Sequence, residues 1–317
     1  MVVLVFIESQ AGVVRKSGFE VASYGRAIAD VKGISLVGVG FNLEQTEMIS
    51  RYGVDKLYNI NTQGESFFDV ERYSESIASI IKKENASVVV VSATADGRYL
   101  GPILSAKVDA AYLSNVVELP SQYQPLQVKR SCFTNKAFNQ TQSEKECTVL
   151  SLSSNSFALK EKPGNTEVFE GEYSASTRSL NVVSVDKVTD KVSIADADIV
   201  VSGGRGLKGP ENWHLIEDLA EVLGAATACS KPVSDMGWRS HSEHVGQTGK
   251  PVASNLYIAI GVSGAIQHLA GINSSKVKVV INNDPEAPFF KAADYGIVGD
   301  AFEVVPKLIE KLRVRKQ

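Results

Sequence analysis

The sequence predicts an α/β protein of two domains, each built on a parallel sheet, with an antiparallel extension on the first. Three observations carry this. Short apolar, β-branched runs alternate with segments of helical periodicity through the first half, the pattern of a parallel sheet with right-handed crossovers. From about Glu118 the texture turns to strand-like stretches rich in Thr, Ser and Gln. Near Ala197 the α/β alternation starts afresh.

Taken in order, VVLVFIE (2–8), ISLVGVGF (34–41) and SVVVVSA (87–93) read as strands covered on both faces. Residues 17–32 and 68–84 carry helical spacing. In the second of these, Tyr73, Ile77, Ile80 and Ile81 share one stripe, with Arg72, Glu75, Lys82 and Lys83 largely away from it. QVKRSCFTNKAFNQTQ (127–142) and KECTVLSLSS (145–154) read as paired, partly exposed strands that form the antiparallel extension. A stretch rich in Glu, Ser and Thr (160–179) and NVVSVDKV (181–188) follow. The polar stretch 186–194 holds no strong element of its own, so the domains are expected at 1–187 and 188–317.

In the second half, strand ADIVVSG (197–203) leads through a glycine-rich turn to a helix over 211–223. AATAC (225–229), LYIAIGV (256–262), KVKVVIN (276–282) and YGIVGD (295–300) supply further strands, and 304–312 a closing helix. Ligands of open parallel sheets bind beyond the carboxyl ends of strands. Ser230, Ser263, Asn282 and Asp300 each follow such a strand, which marks that edge as a site.

The 317 residues suffice for two domains at ~100–200 residues each. A net charge of −3 gives no basic field for nucleic acid or anionic lipid. No apolar run approaches the ~18 residues of a membrane span, which speaks against direct membrane insertion. The N-terminus lacks the features of a signal or transit peptide, and three cysteines without metal-ligand spacing fit a reducing, cytoplasmic compartment.

The polar turn Gly246-Gln247-Thr248-Gly249 and the block Ser263 to His268 are too rich in donors to serve a core. Gln247, Thr248, Ser263, Gln267 and His268 are expected to converge on one planar, polar-edged heterocycle. The plainer reading makes Gln247 and Thr248 turn residues bonded to their own backbone. Gly204, Gly206 and Gly209 spell a literal G-x-G-x-x-G after a strand, which suits a pyrophosphate but equally suits a plain tight turn. Arg205 within it favours a phosphate or flavin edge. Ser230 reads as a cofactor contact or a helix cap, and Lys231 as a cation offsetting charge on a reduced ring or as a solvated side chain. Asn282 and Asp300 have plain readings as an Asx turn and an N-cap. His241, Glu243 and His244 invite a metal, but no thiolate or further histidine completes the set. No serine or cysteine stands in a nucleophile elbow.

Together SGGRGLKGPENW (202–213), ACSKPVSDMGW (228–238), VGQTGK (245–250), SGAIQHLAG (263–271), INNDPEAPFF (281–290) and ADYGIVGDAFEVVPKL (293–308) resemble electron-transfer flavoprotein alpha subunits. The resemblance covers nearly all of the second half, and the first half agrees in texture. It implies a nucleotide-hydrolase-like first domain without cofactor and a Rossmann-like (DHS-like) FAD-binding second domain. It also implies a heterodimer with a beta subunit. Acyl-CoA dehydrogenases or similar flavoenzymes are the implied donors of single electrons, and a quinone oxidoreductase is the acceptor. Carried over residue by residue, the FAD contacts are Arg205, Ser230 and Lys231, then Val245, Gly246, Gln247 and Thr248, with the threonine near the ring N5. Ser263, Gly264, Ala265, Ile266, Gln267 and His268 would wrap ring and pyrophosphate, with His268 near the C2 carbonyl. Asn282, Asp300 and Ala301 would reach the adenosine side. One departure stands out: relatives commonly carry arginine where this chain has Lys231, which keeps the charge but loses the planar fork. An electron carrier needs no general acid or nucleophile. The alternative is a subunit of an electron-bifurcating, NADH-oxidising complex, and a third class is a nucleotide-sensing subunit without redox work.

Overall fold

A computed structural model describes residues 1–65, 67–133, 135–175, 182–184, 194 and 197–316. The chain divides into two compact units, Met1–Cys132 with Ala137–Lys187, and Phe133–Lys136 with Val188–Gln317. NVVSVDKV lies outside the described residues apart from 182–184, and so does the expected boundary stretch apart from Ile194.

In the first unit the strands are β1 (Val2–Ile7), β2 (Leu36–Phe41), β3 (Lys56–Ile60), β4 (Ala86–Ser92), β5 (Ala111–Val116), β6 (Leu126–Cys132), β7 (Ala137–Ser143), β8 (Thr148–Leu152) and β9 (Glu167–Gly171). They stand in the order β7-β6-β5-β8-β4-β1-β2-β3-β9, with the short strand Gln122–Tyr123 paired beside β6. From β5 to β9 every neighbouring pair is parallel; β6 and β7 form the expected antiparallel extension. The main helices are α1 (Lys16–Lys32), α2 (Val70–Glu84) and α3 (Ala95–Lys107).

β1 shows why its sequence is apolar throughout. Val3, Val5 and Ile7 enter one core cluster with Val21, Tyr24 and Ile28 of α1, whereas Val2, Leu4 and Phe6 enter another with Ile77 and Ile81 of α2 and Leu100 of α3. Each such side chain, fully buried, stabilises the fold by ~1.5–3 kcal/mol relative to exposure. α2 starts at Val70 rather than at 68 because Asp69 caps it, accepting from the Glu71 and Arg72 N–H groups at 2.9 and 3.2 Å.

KECTVLSLSS corrects one expectation. Its strand β8 is parallel, lies between β4 and β5, and is buried at all five positions. Its hydroxyls do not signal exposure: Thr148 Oγ1 shares a 2.7 Å hydrogen bond with Ser143 Oγ inside the protein. β9 arises where the sequence shows only a polar stretch, as an exposed edge strand held by pairing with β3.

The second unit has strands β10 (Ile199–Gly203), β11 (Ala226–Cys229), β12 (Leu256–Ile260), β13 (Val277–Asn282) and β14 (Tyr295–Val298), all parallel in the order β11-β10-β12-β13-β14. Its helices are α4 (His214–Leu223), α5 (Lys231–Asp235), α6 (Ile266–Ile272) and α7 (Ala301–Lys316). α4 opens later than expected, because Pro210 first starts a 3-10 turn over Pro210–Trp213. α7 opens earlier, because Asp300 Oδ1 accepts from the Phe302 N–H at 3.0 Å. The chain runs from β10 out to β11, then returns to β12 on the other side of β10. The strand order therefore reverses between β10 and β12, where doubly wound sheets bind ligands. Among the described residues no helix is long and apolar enough to cross a membrane.

Candidate functional site

β10 ends at Gly203 and the chain turns at once through Gly204, Arg205 and Gly206. A Cβ on Gly204 would stand 2.1 Å from the Gly261 carbonyl oxygen, and one on Gly206 2.7 Å from the Gly261 Cα. The Gly204 N–H donates to the Ile260 carbonyl at 2.9 Å, and the Gly206 N–H to that of Gly261 at 3.0 Å. These glycines therefore let the turns after β10 and β12 pack backbone on backbone. Of the two readings of the motif, the plain tight turn accounts for Gly204 and Gly206, whose N–H groups are both engaged. What the contact does supply is a fixed, exposed position for Arg205 at the switch point.

β11 ends in Cys229, and Ser230 follows, buried, with its hydroxyl capping no backbone group. Lys231 and Pro232 open α5, with Lys231 exposed. The chain then passes through a 3-10 turn, His241–Glu243. Its polar groups have structural employment. His241 Nδ1 bonds Ser234 Oγ at 2.8 Å, and the Glu243 carboxylate takes a two-pronged contact from Arg239 at 2.8 and 3.1 Å. Among the described residues no three His, Cys, Asp or Glu side chains stand together as metal ligands.

Beyond it, Val245 is fully buried, its N–H bonded to the Cys229 carbonyl at 3.0 Å. Gly246 has φ +154°, and a Cβ on Gly271 of α6 would lie 2.6 Å from its Cα, so turn and helix touch through two glycines. The Gln247 N–H donates to the Gln267 carbonyl at 2.7 Å, which ties the turn to α6 a second time. The Gln247 and Thr248 side chains make no hydrogen bond among the described residues. Self-satisfied turn residues would have bonded their own backbone, so these two are free for a ligand.

After β12, Gly261 takes φ +62° and Gly264 φ +82°; a Cβ on Gly264 would sit 2.6 Å from Phe289 backbone atoms. Ser263, Ala265, Ile266 and Gln267 are exposed around the start of α6, whereas His268 is 6% exposed. His268 Nε2 shares a 3.0 Å hydrogen bond with the hydroxyl of fully buried Tyr257, whose ring lies parallel to Phe289. Its Nδ1 is buried without a hydrogen-bond partner. Burial, reinforced by neighbouring His244 and opposed by the Val245 carbonyl, pushes the His268 pKa down to about 4, so the ring is neutral near pH 7.

These pieces surround one cavity of about 550 Å³, within the usual range for small-molecule sites. It brings together Arg205, Ser230, Lys231, Val245, Gly246, Gln247, Thr248, Ser263, Ala265, Gln267, His268 and Asn282. It does not bring in Gly264, Ile266, Asp300 or Ala301. Gly264 packs on Phe289, Asp300 caps α7 and lies 3.9 Å from Lys208 Nζ, and Ala301 is buried in that helix. Asn282 also holds its own turn, donating to the Val262 carbonyl at 3.1 Å. Sequence reasoning missed Asp235, His244 and Asp284 in the wall; for His244 the signal was present but was spent on the metal reading. A second cavity, of about 670 Å³, lies in the first unit around Glu8, Arg15, Phe41 and Tyr73. None of the site residues expected from the sequence lines it.

Comparison with known proteins decides the family. The family model described as "Electron transfer flavoprotein domain" matches residues 3–185, and "Electron transfer flavoprotein FAD-binding domain" matches residues 193–273. The chain belongs to the electron transfer flavoprotein alpha-subunit family. It is 36% identical to "Electron transfer flavoprotein subunit alpha" of Bacillus subtilis, over 98% of this chain and 97% of that one. The same-named protein of Thermoanaerobacterium thermosaccharolyticum is 33% identical, covering 98% of each chain. Protein FixB of Clostridium saccharobutylicum is 31% identical over 98% of this chain and 96% of its own. The family match to an FAD-binding domain and the cavity fall on the same unit. The donor set fits such a cofactor: two cations, unbonded amide and hydroxyl groups, and an orphaned imidazole nitrogen, all at a sheet switch point.

Proposed function

We propose that this chain binds FAD in the cavity of its second unit and, in a heterodimer with an electron transfer flavoprotein beta subunit, carries single electrons. Acyl-CoA dehydrogenases or similar flavoenzymes are the donors, a membrane quinone oxidoreductase is the acceptor, and fatty acid beta-oxidation in the cytoplasm is the setting. No cofactor is assigned to residues 1–187. The observation that carries this reading is the convergence of unbonded Gln247, Thr248 and Ser230 with Arg205, Lys231 and neutral His268 on one cavity. No lining serine is bonded to a lining histidine among the described residues. Such a wall binds and tunes; it does not attack a substrate.

Bound FAD would supply reversible one-electron chemistry. The protein's part is to orient it and set its electrostatics. Arg205 and Lys231 favour added negative charge, while Asp235 and Asp284 in the same wall oppose it. Tyr257 fixes the His268 ring so that its neutral form meets the ligand. Val245 and Gly246 hold Gln247 and Thr248 against α6.

The test is purification with the beta subunit, an absorption spectrum, and reduction by an acyl-CoA dehydrogenase with its substrate. Flavin bands that bleach in that titration support the reading. Bleaching by NADH alone would instead favour the bifurcating alternative, and a colourless complex would sink both.

A further inference from the structure

His244 lines the cavity, and its ring makes no hydrogen bond among the described residues. The residue is held on both sides of its backbone. Its N–H donates to the His241 carbonyl at 3.2 Å, its carbonyl accepts from the Lys250 N–H at 2.8 Å, and it pairs as an isolated bridge with Cys229. The ring also lies close against the turn glycines. A Cβ on Gly249 would stand 2.8 Å from Nδ1, and one on Gly246 3.3 Å from Nε2. The turn glycines are thus shaped around an imidazole.

That imidazole is only 7% exposed. The other cavity histidine, His268, is bonded to Tyr257, and His241 outside the wall is bonded to Ser234. The His244 ring makes no hydrogen bond among the described residues, and neither nitrogen is sealed inside the protein. Buried polar groups are normally hydrogen-bonded. This imidazole keeps both nitrogens open to the cavity with no protein partner among the described residues, so it is available to bond a ligand there.

The charged groups around it come from three elements: Lys231 and Asp235 of α5, His241 of the 3-10 turn, and His268 of α6. Adjacent Glu243 is committed to Arg239. Burial first, then Lys231 and His241, disfavour the protonated ring, and Asp235 favours it. The ring is therefore neutral before charge enters the cavity, and added negative charge is what shifts it.

We propose that His244 bonds the ligand of this cavity and takes up one proton when that ligand gains negative charge. The inference rests on the flavin reading above. Each electron entering the bound cofactor adds one negative charge; one solvent proton moves onto a His244 ring nitrogen and leaves when the electron is passed on. Only an N–H bond is made and broken. His268 is the weaker candidate, being tied to Tyr257 and more strongly biased towards neutrality.

Potentiometric titration of the flavin-loaded complex from about pH 5.5 to 8.5, the histidine range, tests this. In wild type the oxidised-to-reduced ratio at fixed potential should change by up to about tenfold per pH unit more than in H244Q. H244Q retaining the wild-type pH dependence with flavin bound overturns the inference while leaving the proposed function standing. Failure of the wild type to bind FAD overturns both. Should H244Q fail to fold, isotope-edited spectra of the four histidines in the wild-type complex decide. The His244 ring passing from neutral to protonated on reduction at constant pH supports the proposal; that ring staying neutral, or another histidine taking the proton instead, overturns it.

Discussion

Removing one hydroxyl from Tyr257 isolates the bond that fixes His268. Phenylalanine there keeps the ring, its parallel packing on Phe289 at 6.5 Å and the fully buried volume. What is lost is the 3.0 Å hydrogen bond to His268 Nε2. Among the described residues the Tyr257 hydroxyl is the hydrogen-bond partner of His268 Nε2, so the variant leaves that nitrogen of a buried ring unpaired. Orphaning a buried polar group costs ~1–3 kcal/mol. Taking ~2 kcal/mol, the thermal midpoint of a unit this size falls by roughly 6–10 °C. The assay is selective, because both tryptophans, Trp213 and Trp238, lie in the second unit. Unfolding followed by tryptophan fluorescence therefore reports the unit that holds the cavity. An unchanged midpoint in Tyr257→Phe would refute the claim that this bond anchors His268.

Gly204→Ala places a Cβ 2.1 Å from the Gly261 carbonyl oxygen, so the turns after β10 and β12 must separate. Overpacking of this kind costs ~1–3 kcal/mol, visible in the same fluorescence transition, with FAD retention reduced; a wild-type transition would contradict the backbone contact. Lys231→Ala removes a cation from the cavity wall and should lower the flavin midpoint potential, read by potentiometry; an unaltered potential would remove Lys231 from the tuning role. In the first unit, burial lifts the Glu8 carboxyl from 4.5 to about 7, against the Thr94 and Ser17 hydroxyls that bond it. A carboxyl raised in the fold binds its proton more tightly there than in the unfolded chain. Stability therefore falls as pH rises from about 4.5 to about 7, by about 3 kcal/mol at most. Glu8→Gln should flatten that dependence in calorimetry between about pH 5 and pH 8, and a slope equal to wild type would count against it.

How much of this was legible in the sequence depended on whether local pattern decides the outcome. β1, β2 and β4 were readable because strands buried on both faces need unbroken apolar runs. The stripe of α2 was readable for the analogous reason. β9 was not, since an exposed edge strand holds its place through pairing with β3 and carries Glu167 and Glu170 like any loop. KECTVLSLSS misled because Ser and Thr satisfied inside the protein look the same in sequence as Ser and Thr facing water. At the site, Gln247 and Thr248 were legible as donors in excess of what a turn needs. The glycines of 204–206 were legible as glycines only; that they serve a contact with Gly261, fifty-odd residues on, is long-range information. His244 was hidden by its neighbours. Spacing grouped it with His241 and Glu243, and only the fold shows those two engaged by Ser234 and Arg239 while His244 faces the cavity.

Cofactor placement is tested by the flavin content of the complex purified with its beta subunit, compared between wild type and a variant of the cavity wall such as Thr248→Ala combined with Arg205→Ala. FAD is expected bound to the wild-type complex, reducible by a flavoprotein dehydrogenase, and markedly lost from the variant with the tryptophan-reported fold intact. Flavin retained in full by the folded variant, or a wild-type complex without flavin, would contradict placing the cofactor in this cavity.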